Sequence, residues 1–302
     1  MTASVDAEQA RARTATVPFW MSPPAYWMPP HLPLSAWFTH APFAAWLVDA
    51  VRPASIVELG THLGFSCFAF AEASKRLGCS TTIHAIDTWE GDDHAGYYDD
   101  EVYRYVRSVA DRDYADRVQM HRGRFSDARP SFDDAVVDIL HIDGRHGFED
   151  VTADYEEWAG TVRTGGVILF HDIAETENGF GVWQLWEQLA TPGRSFAFSH
   201  GHGLGVLAVG DISTSPIRAL FEADDSIADR IRADFSALGE VVARQAWLEE
   251  QGDQAERAWE EVRTRARHED ELVARIDALE SSTSWRLTAP IRAVGRRHSR
   301  RG

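Results

Sequence analysis

The sequence predicts an α/β fold with an open, mainly parallel sheet. Between residues 45 and 212, apolar runs typical of strands alternate with segments of helical period. The run IVELGTHLGFS begins as an apolar strand that ends near Glu58, and a glycine turn with Gly60 and Gly64 leads into a helix. The next strand, TTIHAID, ends in a second acid, Asp87. This order makes a βαβ unit, whose ligand crevice lies at the carboxyl ends of the strands.

The remaining elements follow the same alternation. We expect seven strands, at Ser55–Leu59, Thr81–Ile86, Val118–His121, Val136–Ile142, Val167–His171, Phe196–Ser199 and Gly205–Val209. Helices are expected at about Gly64–Leu77, within Asp87–Asp111, at about Phe148–Thr161 and at Gly181–Leu189, and Arg163–Gly166 is expected to be a turn. The glycine-rich turn His200–Gly205 joins the last two strands and is expected to be a hairpin rather than a site. The prediction is therefore a Rossmann-like, mainly parallel seven-stranded sheet with an antiparallel C-terminal edge.

Composition divides the chain into four predicted parts. They are an N-terminal extension (1–44), the α/β domain (45–212), a helical or coiled-coil segment (213–282) and a basic amphipathic tail (283–302). The extension begins with a polar, aperiodic stretch that is expected to be disordered. Its later part is rich in Trp and Pro, and the prolines exclude a long helix. That part either packs on the domain or forms a substrate or oligomer surface.

The helical segment is charged and free of proline from Asp224 to Glu280. Apolar residues recur there at spacings of three and four, but polar residues occupy several positions of the seam. The pattern predicts either an imperfect coiled coil, which implies a homo-oligomer, or a long amphipathic helix packed on its own domain. The tail carries an apolar stripe among arginines and either contacts an anionic membrane surface or remains solvated.

Charge and cysteine content exclude several classes. A net charge of −17 argues against general nucleic-acid binding. The two cysteines, Cys67 and Cys79, do not make a disulfide framework, which favours a reducing compartment. No apolar run has the length of a membrane span, and the N-terminus lacks the apolar core of a signal peptide. We therefore expect a cytoplasmic protein, with contact at the inner membrane face only through the basic tail.

The first βαβ unit indicates the kind of cofactor. Its glycines have G-x-x-x-G spacing instead of the G-x-G-x-x-G spacing of dinucleotide sites. Asp87 lies 29 residues after Glu58, where a carboxylate can accept both hydroxyls of a ribose. The pattern predicts a nucleoside-like cofactor without a pyrophosphate.

Two later strands supply candidate catalytic groups. One ends at Asp143 with His146 close behind, and the next ends at His171 and Asp172. Adjacent parallel strands lie about 5 Å apart, so these four side chains are expected to converge in one crevice. Carboxylates with imidazole suit a divalent cation, and a histidine suits removal of a proton from a hydroxyl.

These motifs, taken in order, resemble those of a known family. VELGTHLGFS, HAIDTWEGDDHAG, LHIDGRHGFEDVTADYEEW and RTGGVILFHDI resemble the class I S-adenosylmethionine-dependent methyltransferases. The most similar group contains the metal-dependent O-methyltransferases of antibiotic and polysaccharide sugars. The resemblance covers about residues 50–210.

The resemblance implies roles for individual residues. Cofactor binding would involve Glu58, Gly60, Thr61, Gly64, Asp87, Thr88, Phe125, Ser126 and Asp143. Asp143, His171 and Asp172 would hold a divalent metal, with Mg²⁺ as the expected ion, and His146 would be the general base. His171 departs from the pattern, because the relatives usually carry a second acid before the final Asp.

The function implied is methyl transfer to a hydroxyl of a sugar, a polysaccharide or a glycosylated natural product. The acceptor is thus a small molecule or a glycan. Two alternatives are a metal-independent small-molecule methyltransferase and a non-catalytic scaffold of a glycan assembly system with a degenerate cofactor fold. The aromatic, acidic segment Trp89–Asp100 would be a lid or acceptor wall, or else a solvated loop.

Overall fold

A seven-stranded sheet forms the centre of the computed structural model, which describes residues 17–92, 96–213, 215 and 217–287. The strands are β1 (Ser55–Leu59), β2 (Thr82–Asp87), β3 (Gly91–Asp92), β4 (Gly96–Tyr97), β5 (Val118–Arg122), β6 (Val137–Ile142), β7 (Val162–His171), β8 (Ser195–Phe198) and β9 (Leu204–Ala208). The sheet order is β5-β2-β1-β6-β7-β9-β8, and β3 pairs with β4 alone. The first five strands of the sheet run parallel, whereas β9 runs antiparallel to both of its neighbours. The predicted fold class is confirmed.

Helices connect the strands and extend the chain beyond the sheet. They are α1 (Ala41–Val51), α2 (Phe65–Arg76), α3 (Asp100–Asp113), α4 (Phe125–Ala128), α5 (Phe148–Trp158), α6 (Val182–Leu189), α7 (Arg218–Phe221), α8 (Asp225–Ser281) and α9 (Thr283–Leu287). Short 3₁₀ turns occur at Pro23–Tyr26, Phe38–His40, Arg129–Ser131 and Ala159–Thr161.

The central strands are buried on both faces. Successive residues of a strand point to opposite faces, so Ile56 and Ile139 belong to one apolar cluster while Val57 and Leu140 belong to the other. Parallel sheets require this arrangement, because helices cover both of their faces. The polar ends of the strands are thereby left as the accessible edge at which a ligand can bind.

Strand β7 begins five residues earlier than the sequence predicts. The stretch predicted as a turn, Arg163–Gly166, lies inside the strand and coincides with a register shift against β6. Gly165 has a left-handed φ of 83°. A Cβ on Gly166 would lie 2.7 Å from the carbonyl oxygen of Asp138. The glycines that indicated a turn therefore form an irregularity within the strand, where only a residue without a side chain fits.

The described part of the N-terminal extension packs on the domain through a few buried residues. Trp20 and Trp37 are buried, and the Trp20 indole donates a hydrogen bond to Asp234 of α8 at 2.9 Å. The prolines limit the segment to 3₁₀ turns until α1 begins at Ala41, with Pro42 in its first turn, where proline is tolerated. Residues 1–16, which are predicted to be disordered, lie outside the described residues.

The residues of the 57-residue helix α8 are divided between two compact units, Met1–Ala246 and Trp247–Gly302. In the first unit its apolar residues Ile231, Phe235 and Val242 are buried, as expected of a helix packed on its own domain. In the second unit the apolar side chains are exposed, including those of Leu248, Trp259, Val262, Val273 and Ile276. Coiled-coil pairing and the homo-oligomer stay predictions.

Gly239 provides a test of how α8 packs in the first unit. A Cβ at this position would collide with the backbone carbonyl of Thr39, so Gly239→Ala is expected to lower the melting temperature. Gly252→Ala is the matched control, because a Cβ there meets no atom within 4 Å. In an exposed helix this control change should be neutral or stabilise by about 0.5–1 kcal/mol. Thermal unfolding followed by circular dichroism measures both; equal melting temperatures would contradict the close packing.

No helix among the described residues is both long and apolar enough to cross a membrane. Most of the basic tail, residues 288–302, lies outside the described residues. Its contact with a membrane surface therefore stays a prediction.

Candidate functional site

A cavity of about 1270 Å³ lies at the carboxyl ends of the parallel strands. Its walls include Gly60 after β1, Asp87 at the end of β2, Phe125 after β5, Asp143 after β6 and Asp172 after β7. The sheet topology alone brings these residues together, since each follows or ends a parallel strand. The crevice expected from the sequence is therefore present.

Asp87 ties the glycine turn to the second strand. Its Oδ2 accepts hydrogen bonds from the backbone amides of Thr61 at 2.8 Å and His62 at 2.9 Å, and Oδ1 accepts one from Trp89 at 2.7 Å. Gly60 has a left-handed φ of 91°, and a Cβ on it would collide with the backbone carbonyl of Asp143. The turn thus needs both its glycine and the acid.

Most of the residues predicted to bind a cofactor line the cavity. They are Gly60, Thr61, Asp87, Thr88, Phe125, Ser126 and Asp143. The hydroxyl of Thr61 is buried and has no hydrogen-bond partner among the residues that the structure describes. A buried hydroxyl without a partner costs free energy unless a ligand or water satisfies it. The wall therefore carries a polar group suited to a bound ligand.

Two predicted cofactor residues lie elsewhere. Glu58 is fully buried beneath the cavity and faces His141 of β6, whose Nδ1 lies 3.1 Å from Glu58 Oε1. Gly64 is the N-cap of α2, and a Cβ there would lie 2.7 Å from the ring of Phe68. Neither residue lines the cavity. The Glu58 side chain points into the packing of the sheet, and Gly64 serves the start of the helix.

Three side chains form a group that could hold a metal ion. One ligand atom each from Asp143, His146 and Asp172 lies within 4.8 Å of the others. His146 Nδ1 is 3.3 Å from Asp172 Oδ2, and its ring stacks on Phe180 with 4.6 Å between ring centroids. Carboxylate oxygens with one imidazole suit a divalent cation.

Comparison with known proteins identifies the domain that contains this cavity. Residues 57–173 match a family model described as a methyltransferase domain. This segment is a methyltransferase domain. The prediction of a methyltransferase from the motifs is confirmed, and the matched residues contain the glycine turn, Asp87 and the whole Asp143–His146–Asp172 group.

The individual relatives are either distant in sequence or much longer than this chain. An uncharacterized protein of Sinorhizobium fredii is 46% identical over 180 residues, which are 59% of this chain and 20% of the relative. The chain thus spans a fifth of the length of that curated relative. An O-methyltransferase of Bacillus cereus, solved with SAH, is 19% identical over 60% of this chain and 84% of its own, with a TM-score of 0.45. A SAH-bound methyltransferase of Podospora anserina is 15% identical over 70% and 97%, with a TM-score of 0.46.

His171 of the methyltransferase domain lies beside both predicted metal-binding carboxylates, with its Nδ1 3.1 Å from Asp143 Oδ1 and 3.3 Å from Asp172 Oδ1, and its role as a metal ligand stays a prediction. Its Nδ1 donates to Asp143 Oδ1 at 3.1 Å and its Nε2 donates to the carbonyl of Gly201 at 3.1 Å. Burial acts to lower the pKa of His171, but Asp143 and Asp172 outweigh burial and hold that pKa well above its usual value. The third member of the group that could hold a metal ion is His146.

The contact with His171 also controls the charge of Asp143. Burial acts to raise the pKa of Asp143, but His171 outweighs this effect, and His141 and His146 add to it, so the pKa lies well below its usual range. Asp143 is therefore held as a carboxylate. His171 thus orients this carboxylate and favours its ionised form.

The glycine-rich turn between β8 and β9 takes part in the site as well as forming the predicted hairpin. The Gly201 carbonyl accepts hydrogen bonds from His171 and from the fully buried His40, whose Nε2 is 2.9 Å away. His202 lines the cavity and pairs with Glu175 at 2.6 Å. Local sequence patterns gave no sign of these contacts, because the partners are up to 161 residues apart.

Two further segments complete the cavity wall of the methyltransferase domain. Leu34, Ala36 and Trp37 of the N-terminal extension line the cavity, so the extension both packs on the domain and contributes to the site. Glu90 and Tyr98, from the aromatic acidic segment, line it as well. That segment is consequently a wall of the cavity in its described part, while residues 93–95 lie outside the described residues.

Proposed function

We propose that the methyltransferase domain transfers a methyl group from S-adenosylmethionine to a hydroxyl of a sugar, a polysaccharide or a glycosylated natural product, with the help of a divalent metal. The observation that carries the proposal is the Asp143–His146–Asp172 group in the same cavity as the glycine turn and Asp87. A cofactor site beside a group that can remove a proton and bind a cation suits methyl transfer to an oxygen.

The residues of the cofactor half suit a nucleoside with a charged tail. S-adenosylmethionine would supply the methyl group on its sulfonium. Asp87 is anchored by three backbone amides, so its carboxylate is oriented before any ribose hydroxyl binds. The buried hydroxyl of Thr61 offers a further hydrogen bond from the cavity wall. Phe125, which also lines the cavity, offers a ring on which a base can stack.

Asp143 and Asp172 would hold the metal. The low pKa of Asp143 keeps its oxygens available to a cation at neutral pH. A divalent cation, when bound, would orient the acceptor hydroxyl and lower the cost of its deprotonation. Mg²⁺ takes oxygen ligands readily, which favours the two carboxylates as its main protein contacts.

We assign His146 as the general base. With Nδ1–H donated to Asp172, the ring takes the tautomer whose Nε2 carries the lone pair that proton removal needs. Stacking on Phe180 fixes the plane of the ring. The role of His146 is thus to receive the proton from the acceptor hydroxyl while the acceptor is held in line with the methyl group.

The experiment that tests the function measures SAH formation by the full chain with S-adenosylmethionine, Mg²⁺ and a panel of hydroxylated glycosides. Methyl transfer should require an acceptor hydroxyl and should stop when EDTA removes the metal. His146→Ala should lower turnover by about 100-fold or more, with Mn²⁺ and SAH affinity kept. Transfer that persists in EDTA would overturn the metal's role. A loss of Mn²⁺ affinity in His146→Ala would make His146 a ligand rather than the base, and the absence of SAH binding would overturn the function.

A further inference from the structure

One face of α5 lines the cavity with acids that the proposed reaction does not use. Asp150, Asp154 and Glu157 recur at helical spacing and all contribute to the cavity wall. Residues four and three apart lie on the same face of a helix, so this face presents three carboxyl groups to one side of the cavity. Among them, Asp154 is the most enclosed, since Asp150 and Glu157 are exposed.

The carboxyl group of Asp154 lies in a corner with an aromatic ring. A Cβ built on Gly144 would be 2.6 Å from Phe125 Cε2 and 3.3 Å from Asp154 Oδ2. Ring and carboxyl therefore flank the same stretch of backbone, directly after Asp143. A flat heteroaromatic ligand stacks on a ring such as Phe125 and needs hydrogen-bond partners at its edge. Asp154 is placed to supply them.

Asp154 also has an altered charge state. Burial, followed by repulsion from Asp150 and Glu157, raises the pKa of Asp154 to about 7. The other acidic and basic side chains that line this cavity are His62, Asp87, Glu90, Arg124, Asp143, Arg145, His146, His171, Asp172, Glu175 and His202. A protonated carboxyl group has one O–H donor and one carbonyl acceptor, whereas a carboxylate only accepts.

We propose that Asp154 is a cofactor-binding residue that recognises the adenine ring of S-adenosylmethionine, accepting a hydrogen bond from the exocyclic amine and donating one to the adjacent ring nitrogen. A 6-aminopurine presents such a donor next to such an acceptor. The neutral carboxyl group matches this edge, and an asparagine side chain matches it equally. This inference rests on the proposed function, because the ligand is the cofactor named there.

Calorimetry of SAH binding at pH 6 and pH 8 tests the proposal, with the full chain and two substitutions. For the wild type, a pKa of about 7 means that the neutral form falls to about a tenth of the protein by pH 8, so affinity should fall by up to about 10-fold. Asp154→Asn should bind at pH 6 like the wild type and should lose this pH dependence. Asp154→Ala should bind about 10-fold more weakly at pH 6.

Glu157→Gln is the matched control on the same face of α5. It removes one of the charges that raise the pKa of Asp154, so the fall in SAH affinity should move to lower pH, and the affinity at pH 6 should drop by at most about 2-fold. Circular dichroism at both pH values verifies the fold of each variant. The proposal is wrong if Asp154→Asn retains the wild-type pH dependence or if Asp154→Ala binds SAH normally. If the wild type fails to bind SAH, the proposed function itself fails.

Discussion

Glu58→Ala is expected to lower the free energy of unfolding by about 3 kcal/mol or more, because it leaves a buried histidine without its partner. Glu58 and His141 are register partners on β1 and β6, and both side chains are fully buried. The ring of Trp37 lies 5.2 Å from that of His141 and excludes water from one side. Denaturant unfolding at pH 7 measures the loss.

Two further variants distinguish the loss of the Glu58–His141 hydrogen bond from a simple loss of side-chain volume. Glu58→Gln keeps an oxygen that can accept a hydrogen bond from His141, so it should cost clearly less than Glu58→Ala. The double variant Glu58→Met with His141→Phe leaves no buried polar group at this position and should recover much of the stability. If the double variant is as unstable as Glu58→Ala, the explanation by an unpaired buried group is wrong, and lost packing accounts for the effect.

Asp172→Asn is expected to weaken divalent-cation binding by about 100-fold or more and to lower methyl transfer accordingly, because it would remove a charged oxygen ligand of the proposed metal. Asparagine is the informative replacement here. Asp172 has a left-handed φ of 62°, a conformation that asparagine tolerates better than most residues. Alanine at this position would add backbone strain, so a loss could not be assigned to the carboxylate.

Titration with Mn²⁺, followed by its effect on water proton relaxation, measures the affinity of Asp172→Asn. Glu175→Gln is the matched control, since Glu175 is a carboxylate of the same cavity that pairs with His202 outside the metal group. Its Mn²⁺ affinity should equal that of the wild type. Unchanged affinity in Asp172→Asn would exclude Asp172 from the metal site, and equal losses in both variants would indicate a general effect of cavity charge.

Local sequence patterns were sufficient for prediction wherever the conformation of a short segment depends mainly on its own residues. Gly60 is required by a left-handed turn, and Asp87 and Asp172 follow from the position of an acid at the end of a parallel strand. The prediction failed for Gly165 and Gly166, because the same residue type serves a turn and a strand irregularity, and only strand pairing distinguishes them.

His171 shows the limit of the sequence for the site. Its position at the end of β7 was predicted, but its protonation depends on Asp143 and on the carbonyl of Gly201, which lie 28 and 30 residues away in the chain. A histidine that donates from both nitrogens cannot be distinguished in the sequence from one that binds a metal. The role of a titratable side chain depends on its partners, and those are set by packing.

The sequence by itself determined the methyltransferase fold, the cavity at the carboxyl ends of the strands and most of the residues around it. These depend on the alternation of strands and helices and on glycines and acids at strand ends, which are local properties. Only the tertiary structure decided that Glu58 pairs with His141 beneath the cavity, that His146 and His171 both contact the Asp143–Asp172 pair, and that Asp154 faces the corner at Phe125. The physical reason is that burial, charge and hydrogen-bond partners come from residues distant in the chain, whose side chains meet only when the sheet has formed.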